Sequence, residues 1–130
     1  MGAKSTYLDN ALLDQVLRNV TYTPPATVYL ALYTADPGNG NTGTEVSTTS
    51  TGYARQAVTF AAASAGSVAS NATVTYPQAT GAWGTVGYWG ICDAVSGGNL
   101  LYHGSLPVAK VPTSGDTFSV ASGNITITES

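Results

Sequence analysis

Hydrophobic and polar positions alternate along most of this chain, with the period of two that is typical of β-strands. The clearest segment is 26–34, ATVYLALYT, in which both faces are apolar, so we expect a strand that is covered on both sides. Turn-rich stretches separate further apolar segments, which lie at 53–60, 68–76, 83–92, 99–106, 107–112 (an edge segment), 116–120 and 124–128. The pattern predicts a mainly β fold, a β-sandwich or barrel of about seven or eight short antiparallel strands.

The densest apolar stretch is 83–106, which we interpret as a β-hairpin. Its first arm carries both tryptophans of the chain, and glycines recur there at positions 84, 87 and 90. Glycine inside a strand is typical of a bulge or a close backbone approach, so we expect this arm to be kinked, with rings folded over the glycines. Gly97 and Gly98 precede the second arm and favour a turn with positive φ.

One helix is predicted, at 5–20, because its apolar residues recur at helical spacing. Ser5 or Thr6 can cap its start. We expect this amphipathic helix to dock on the chain's own core through one apolar face, with a neighbouring subunit as the alternative; the face consists of Leu8, Leu12, Leu13, Val16, Leu17 and Val20. The chain is then one β-rich domain, 1–130, with the helix at 5–20 and the sandwich at 26–130.

A long polar segment, 36–51, follows the first strand and indicates a functional or mobile loop. Its Asp, Asn and Gly content is similar to that of a calcium loop. However, the twelfth position is Ser47 rather than a second carboxylate, so ordinary turn chemistry is the better interpretation.

The composition narrows the function. Charged residues are 8% of the chain, the net charge is −3 and there is one cysteine. The chain therefore shows no basic footprint for nucleic acid, and it cannot form an internal disulfide. We expect no signal peptide and no membrane span, because no apolar run is long enough. A surface so poor in charge fits a protein that is packed in an assembly, although a secreted β-domain would look similar.

Catalytic motifs are missing from the sequence. His103, the one histidine, alternates out of phase with its apolar neighbours, so we expect it to be exposed. It could face Cys92 across the hairpin, but an apolar Cys is more often a core residue. Neither a nucleophile elbow nor a phosphate-binding loop is present, and we expect no cofactor and no metal.

Four stretches carry a resemblance to a known family: STYLDNALLDQVLRN, ATVYLALYTADP, TGTEVSTTSTGYARQAVTF and WGTVGYWGICDAVSGGNLLYHGSL. Together they span nearly the whole chain, which resembles small virion proteins of tailed bacteriophages. Members are labelled tail-fibre-like, and similar small β-proteins serve as capsid cement. The resemblance implies a non-enzymatic virion protein that is assembled in the host cytoplasm.

Our first hypothesis is a cement protein that bridges major capsid protein subunits and associates with itself as a dimer or trimer. The alternative is a tail-fibre or baseplate component that binds host glycan through exposed aromatic residues. We expect the helix and the 36–51 loop to be separable from the core. They supply most of the candidate interface residues, which are Tyr7, Leu8, Leu12, Arg18, Asp36, Asn39, Asn41, Glu45, Tyr53 and Arg55.

Overall fold

The computed structural model describes residues 2–128. These form one helix, α1 (Thr6–Arg18), and ten strands: β1 (Gly2–Lys4), β2 (Val28–Ala35), β3 (Thr44–Glu45), β4 (Gln56–Val58), β5 (Ser67–Ala69), β6 (Val74–Thr75), β7 (Val86–Cys92), β8 (Leu100–Lys110), β9 (Ser119–Val120) and β10 (Thr126–Thr128). The predicted mainly β fold with one N-terminal helix is confirmed.

Eight strands make one sheet in the order β3-β2-β7-β8-β1-β10-β5, and β4 also pairs with β2. Strands β6 and β9 make a separate two-stranded sheet. The pairs are antiparallel except for β1 with β10, which is parallel. Because β1 lies between β8 and β10, the N-terminal segment belongs to the main sheet. This contradicts the expectation that the N-terminal helix is separable from the core, because the strand that leads into it is paired on both sides.

The core lies between the main sheet and the small sheet. Its centre is an aromatic group in which Tyr53 and Tyr76 stack at 5.9 Å and Trp83 meets both edge-on. The hydroxyl of Tyr76 donates to the Leu30 carbonyl oxygen at 2.6 Å, which ties the group to β2. Edge-to-face aromatic pairs add about 0.5–1.5 kcal/mol each beyond their buried area. From the last two strands and their flanks, this core also contains Phe118, Val120, Ile125 and Ile127.

The hairpin of β7 and β8 is the centre of the main sheet, as its apolar content indicated. Its register shifts between Val86 and Tyr88, so the expected kink is present. At Gly90, an added Cβ would come within 2.8 Å of the Tyr33 ring, so a ring does lie over this glycine. Gly97 and Gly98 have φ of 64° and 71°, which confirms the predicted turn.

The predicted strand at 68–76 is divided between the two sheets. Its first part is β5, which pairs with β10, and its second part is β6, which pairs with β9. Between them, the buried Ser70 hydroxyl accepts from the backbone N–H groups of Gly123 and Ile125. These two hydrogen bonds hold the chain where it leaves one sheet for the other. The predicted edge segment at 107–112 is instead mostly a continuation of β8, which ends at Lys110.

The helix begins where the sequence indicated. Ser5 is its N-cap, and the Ser5 hydroxyl accepts from Leu8 N–H and donates to the Leu100 carbonyl oxygen. Only Leu8 of the helix is buried. The prediction that one apolar face docks on the core is wrong, because Leu8 and Leu17 are nine residues apart. At about 100° per residue they point to opposite sides of the helix.

Candidate functional site

Three of the predicted interface residues form one network inside the protein. Arg55 holds both carboxylate oxygens of Glu45, with Nε to Oε2 at 2.9 Å and Nη2 to Oε1 at 2.8 Å. Its Nη1 also donates to the carbonyl oxygens of Ala94 and Gly97, in the turn of the hairpin. The hydrogen bonds with Glu45 raise the pKa of Arg55 above its already high value. The guanidinium therefore joins three separate chain segments as a permanent cation.

The Tyr53 side chain completes this network and is 3% exposed. Its hydroxyl donates to Glu45 Oε2 at 2.6 Å and accepts from the Leu32 N–H at 3.0 Å. The pKa of Tyr53 is raised far above its usual value, mainly by burial and then by the hydrogen bond to Glu45. Tyr53 and Arg55 are thus placed to hold β2 and its neighbours together and not to project into solvent.

The loop after β2 is attached to the rest of the fold by its asparagines. Asn39 Oδ1 lies 2.8 Å from His103 Nε2, and the Asn39 carbonyl oxygen accepts from the N–H of Thr6. Asn41 Oδ1 accepts from the Tyr33 hydroxyl at 3.2 Å. The Asp36 carboxylate accepts from the Gly38 N–H, and its Oδ1 is 4.0 Å from His103 Nδ1. This part of the loop is therefore bonded to α1, β2 and β8.

The prediction that His103 is exposed is wrong, since the residue is 9% exposed. It lies opposite Gly90 in the β7–β8 register, whereas Cys92 lies opposite Leu100. His103 and Cys92 are therefore not cross-strand partners. Burial raises the pKa of the Cys92 thiol, which disfavours the thiolate that a nucleophile needs. Within residues 2–128, no group of three or more His, Cys, Asp or Glu side chains is placed to hold a metal ion.

The surface that stands out is the outer face of α1, which we call the α1 face. It consists of the exposed aliphatic side chains of Leu13, Val16 and Leu17, whose exposed fractions are 56%, 75% and 74%, and of Val20, which follows the helix C-cap and is 45% exposed. Together with Leu12, Lys4 and Asp9, three of them line an open groove along the helix. Contiguous apolar patches of this kind mark contact sites, whereas single exposed aliphatic residues need no explanation.

The predicted helix residues divide between the two sides of α1. Leu8 is buried, Leu12 is half-buried in the groove, and Tyr7 and Arg18 are exposed. Arg18 forms an i, i+4 ion pair with Asp14 at 2.9 Å. Sequence reasoning missed that Leu13, Val16 and Leu17 form a face of their own. The signal was present, because the apolar positions of 5–20 cover more of the helix circumference than one core contact needs.

Comparison with known proteins gives one result that bears on these surfaces. A family model described as "Podophage GP4 fiber I protein gp80" matches residues 3–128. The chain belongs to this family. No curated protein matches the chain.

Membership in the gp80 fibre family makes the chain a bacteriophage virion structural protein. The match covers every described residue except Gly2, from within β1 to the end of β10. The resemblance found in the sequence is confirmed at this level. Separately, no helix within residues 2–128 is long and apolar enough to cross a membrane.

Proposed function

We propose that this protein is a non-enzymatic structural component of a podophage fibre. The observation that carries the proposal is the family match over residues 3–128. The structure supports it, because the side chains with reactive chemistry are used to hold the fold. Arg55 and Glu45 bind each other, His103 binds the Asn39 side chain, and Cys92 is buried.

The architecture suits such a role. A sheet of eight strands with a smaller sheet across it gives a rigid body, and every fully buried side-chain nitrogen or oxygen among residues 2–128 has a hydrogen-bond partner. The surface carries few charges, so adjacent proteins repel one another weakly. On this body the α1 face is the apolar surface available for contact with other virion proteins.

The experiment that tests the proposal is the copy number of the protein in purified virions. Quantitative mass spectrometry would compare it with the major capsid protein, and immunogold labelling would give its position. A fibre component is expected at low copy number, with label at the tail. High copy number in simple ratio to the capsid subunit, with label over the shell, would contradict the fibre assignment.

A second candidate is capsid cement, which bridges neighbouring major capsid protein subunits. The observation that favours it is the same α1 face on a chain with 8% charged residues, since shell contacts also need apolar surface. Binding to the assembled shell and not to its free subunits would stabilise the shell by mass action. The copy number decides between this candidate and the fibre.

A fibre could also bind a host glycan, and one place on the surface favours this. Tyr7 is 43% exposed on α1, and Tyr22 lies close enough to Tyr7 and Asp93 that both act on its charge. The pKa of Tyr22 is raised, mainly by burial and then by these two neighbours. Sugars stack on such rings. Replacing Tyr7 and Tyr22 by Ala should abolish binding to host cells, while Val108→Ala on another surface should not.

A further inference from the structure

We infer that the α1 face binds the α1 face of a second copy of this chain, with the two helices antiparallel about a two-fold axis near Leu13. The inference rests on the proposed function only for the presence of more than one copy in a particle. It adds the partner and the geometry of the contact, and it can be tested on the purified protein.

The groove fits an apolar surface. Leu13, Val16 and Leu17 are apolar, and the charged side chains among the described residues that line the groove are Lys4 and Asp9, whose Nζ and Oδ1 lie 3.9 Å apart. The described lining of the groove is therefore mainly apolar with balanced charges, and it matches an apolar helix of similar length. The chain itself carries such a helix, and a two-fold contact requires this self-complementarity.

The charges near the ends of α1 favour one relative direction of the two helices. Lys4 lies next to the amino-terminal end of α1, because β1 leads directly into the helix. In an antiparallel pair, each Lys4 ammonium comes close to the carbonyl end of the other helix, where a cation is favourable. In a parallel pair, the two Asp9 carboxylates would face each other instead. The charges therefore favour the antiparallel arrangement.

The exposed apolar area of the α1 face sets the strength of the contact. Leu13, Val16, Leu17 and Val20 together expose roughly 250–400 Å² of apolar surface, given their exposed fractions of 45–75%. A stable interface buries about 800 Å² per partner, of which somewhat more than half is apolar. The α1 face lies near or below this requirement. We therefore expect weak dimers in dilute solution and stable contacts only where neighbouring copies are held close together in the particle.

The test is sedimentation equilibrium of the purified chain over a wide concentration range. The wild type should approach a dimer as its concentration rises, and Leu17→Lys should weaken dimerisation at least tenfold. Lys is as good a helix former as Leu and is favourable in the last turn, so this variant should fold. Val111→Lys is the matched control, because Val111 is 60% exposed on a different surface and should leave dimerisation unchanged.

Cysteine cross-linking tests the arrangement. The natural Cys92 is buried, so an added cysteine is the reactive one. Leu13→Cys should link to itself across the two-fold axis. Leu17→Cys should not, because two such residues are about 12 Å apart along the helices and a disulfide allows about 7 Å between Cα atoms. A mixture of Asp9→Cys and Leu17→Cys chains should cross-link.

Two results would overturn the inference. One is a wild-type chain that stays monomeric up to about 1 mM, which would leave the α1 face to a different virion protein. The other is a dimer that Leu17→Lys does not weaken. A dimer in which Leu17→Cys links to itself would overturn the antiparallel arrangement. All three are independent of the copy number in the virion, so a failure here is distinguishable from a failure of the fibre assignment.

Discussion

At the scale of single residues, the glycines of β7 show how the sequence permits close packing in the centre of the sheet. A Cβ at Gly90 would lie 2.7 Å from Leu100 Cδ1 and 2.8 Å from Tyr33 Cε1. Both contacts are shorter than packed carbon atoms allow, and both neighbours are themselves buried. Gly87, in the same strand, has its nearest neighbour at 3.9 Å, so there is room for a methyl group there.

We therefore predict that Gly90→Ala lowers the free energy of unfolding by about 1–3 kcal/mol, the usual cost of overpacking a well-filled core. Gly87→Ala is the control and should change it by less than about 0.5 kcal/mol, as for other substitutions that meet no obstacle. Urea unfolding of the two variants and the wild type measures both values. Equal effects would mean that Tyr33 and Leu100 move aside at no cost.

At the scale of elements, β1 and the start of α1 act as one unit that closes the main sheet. Strand β1 is paired with β8 on one side and β10 on the other, and the next residue, Ser5, caps the helix. Ser5 is 1% exposed, and its hydroxyl bonds both Leu8 N–H and the Leu100 carbonyl oxygen. The N-terminal 20 residues therefore combine a structural part, up to Leu8, with the exposed α1 face.

We predict that Ser5→Ala lowers the free energy of unfolding by about 1–2 kcal/mol, because it removes the N-cap and leaves the Leu100 carbonyl oxygen without this partner. Thr6→Ala, at an exposed neighbouring position, should cost markedly less. Chemical denaturation checks both.

A chain that lacks residues 1–20 should lose the cooperative transition. If that truncated chain unfolds with wild-type stability, β1 is not needed to close the sheet.

The elements also show how far the sequence could be interpreted. The helix, the 83–106 hairpin and the 26–34 strand were predictable, because each has a strong period or a turn signal over many residues. Strands β1 and β3 were missed, since segments of two or three residues carry no measurable period. Their positions depend on long-range pairing, which one local pattern does not contain.

The candidate site was harder to predict for the same reason. The sequence shows polar and aromatic residues near a loop at Glu45, Tyr53 and Arg55. It could not show that these side chains bind each other. The pairing joins residues that are ten apart with a turn near position 95, and only the folded sheet brings them together. The exposed α1 face, by contrast, depends on helical geometry alone and was available from the sequence.

At the scale of the whole molecule, the buried tyrosines belong to the core, one of them belongs to the Arg55 network, and together they make the stability of the protein depend on pH. Tyr33, Tyr53 and Tyr76 are 2–3% exposed, and burial raises the pKa of each above its usual value. In the unfolded chain these phenols would release their protons near pH 10. Above that pH the unfolded state binds fewer protons than the native state, so the native state loses stability as the pH rises.

We predict that the free energy of unfolding is insensitive to these tyrosines below about pH 9 and falls above about pH 10, by about 1.4 kcal/mol per pH unit for each buried phenol. Absorbance at alkaline pH should show the three buried tyrosines ionising together with unfolding. Tyr33→Phe should reduce the slope by one phenol. Ionisation of these three tyrosines in a folded chain would contradict the coupling, because it would mean that the core admits three phenolate charges without opening.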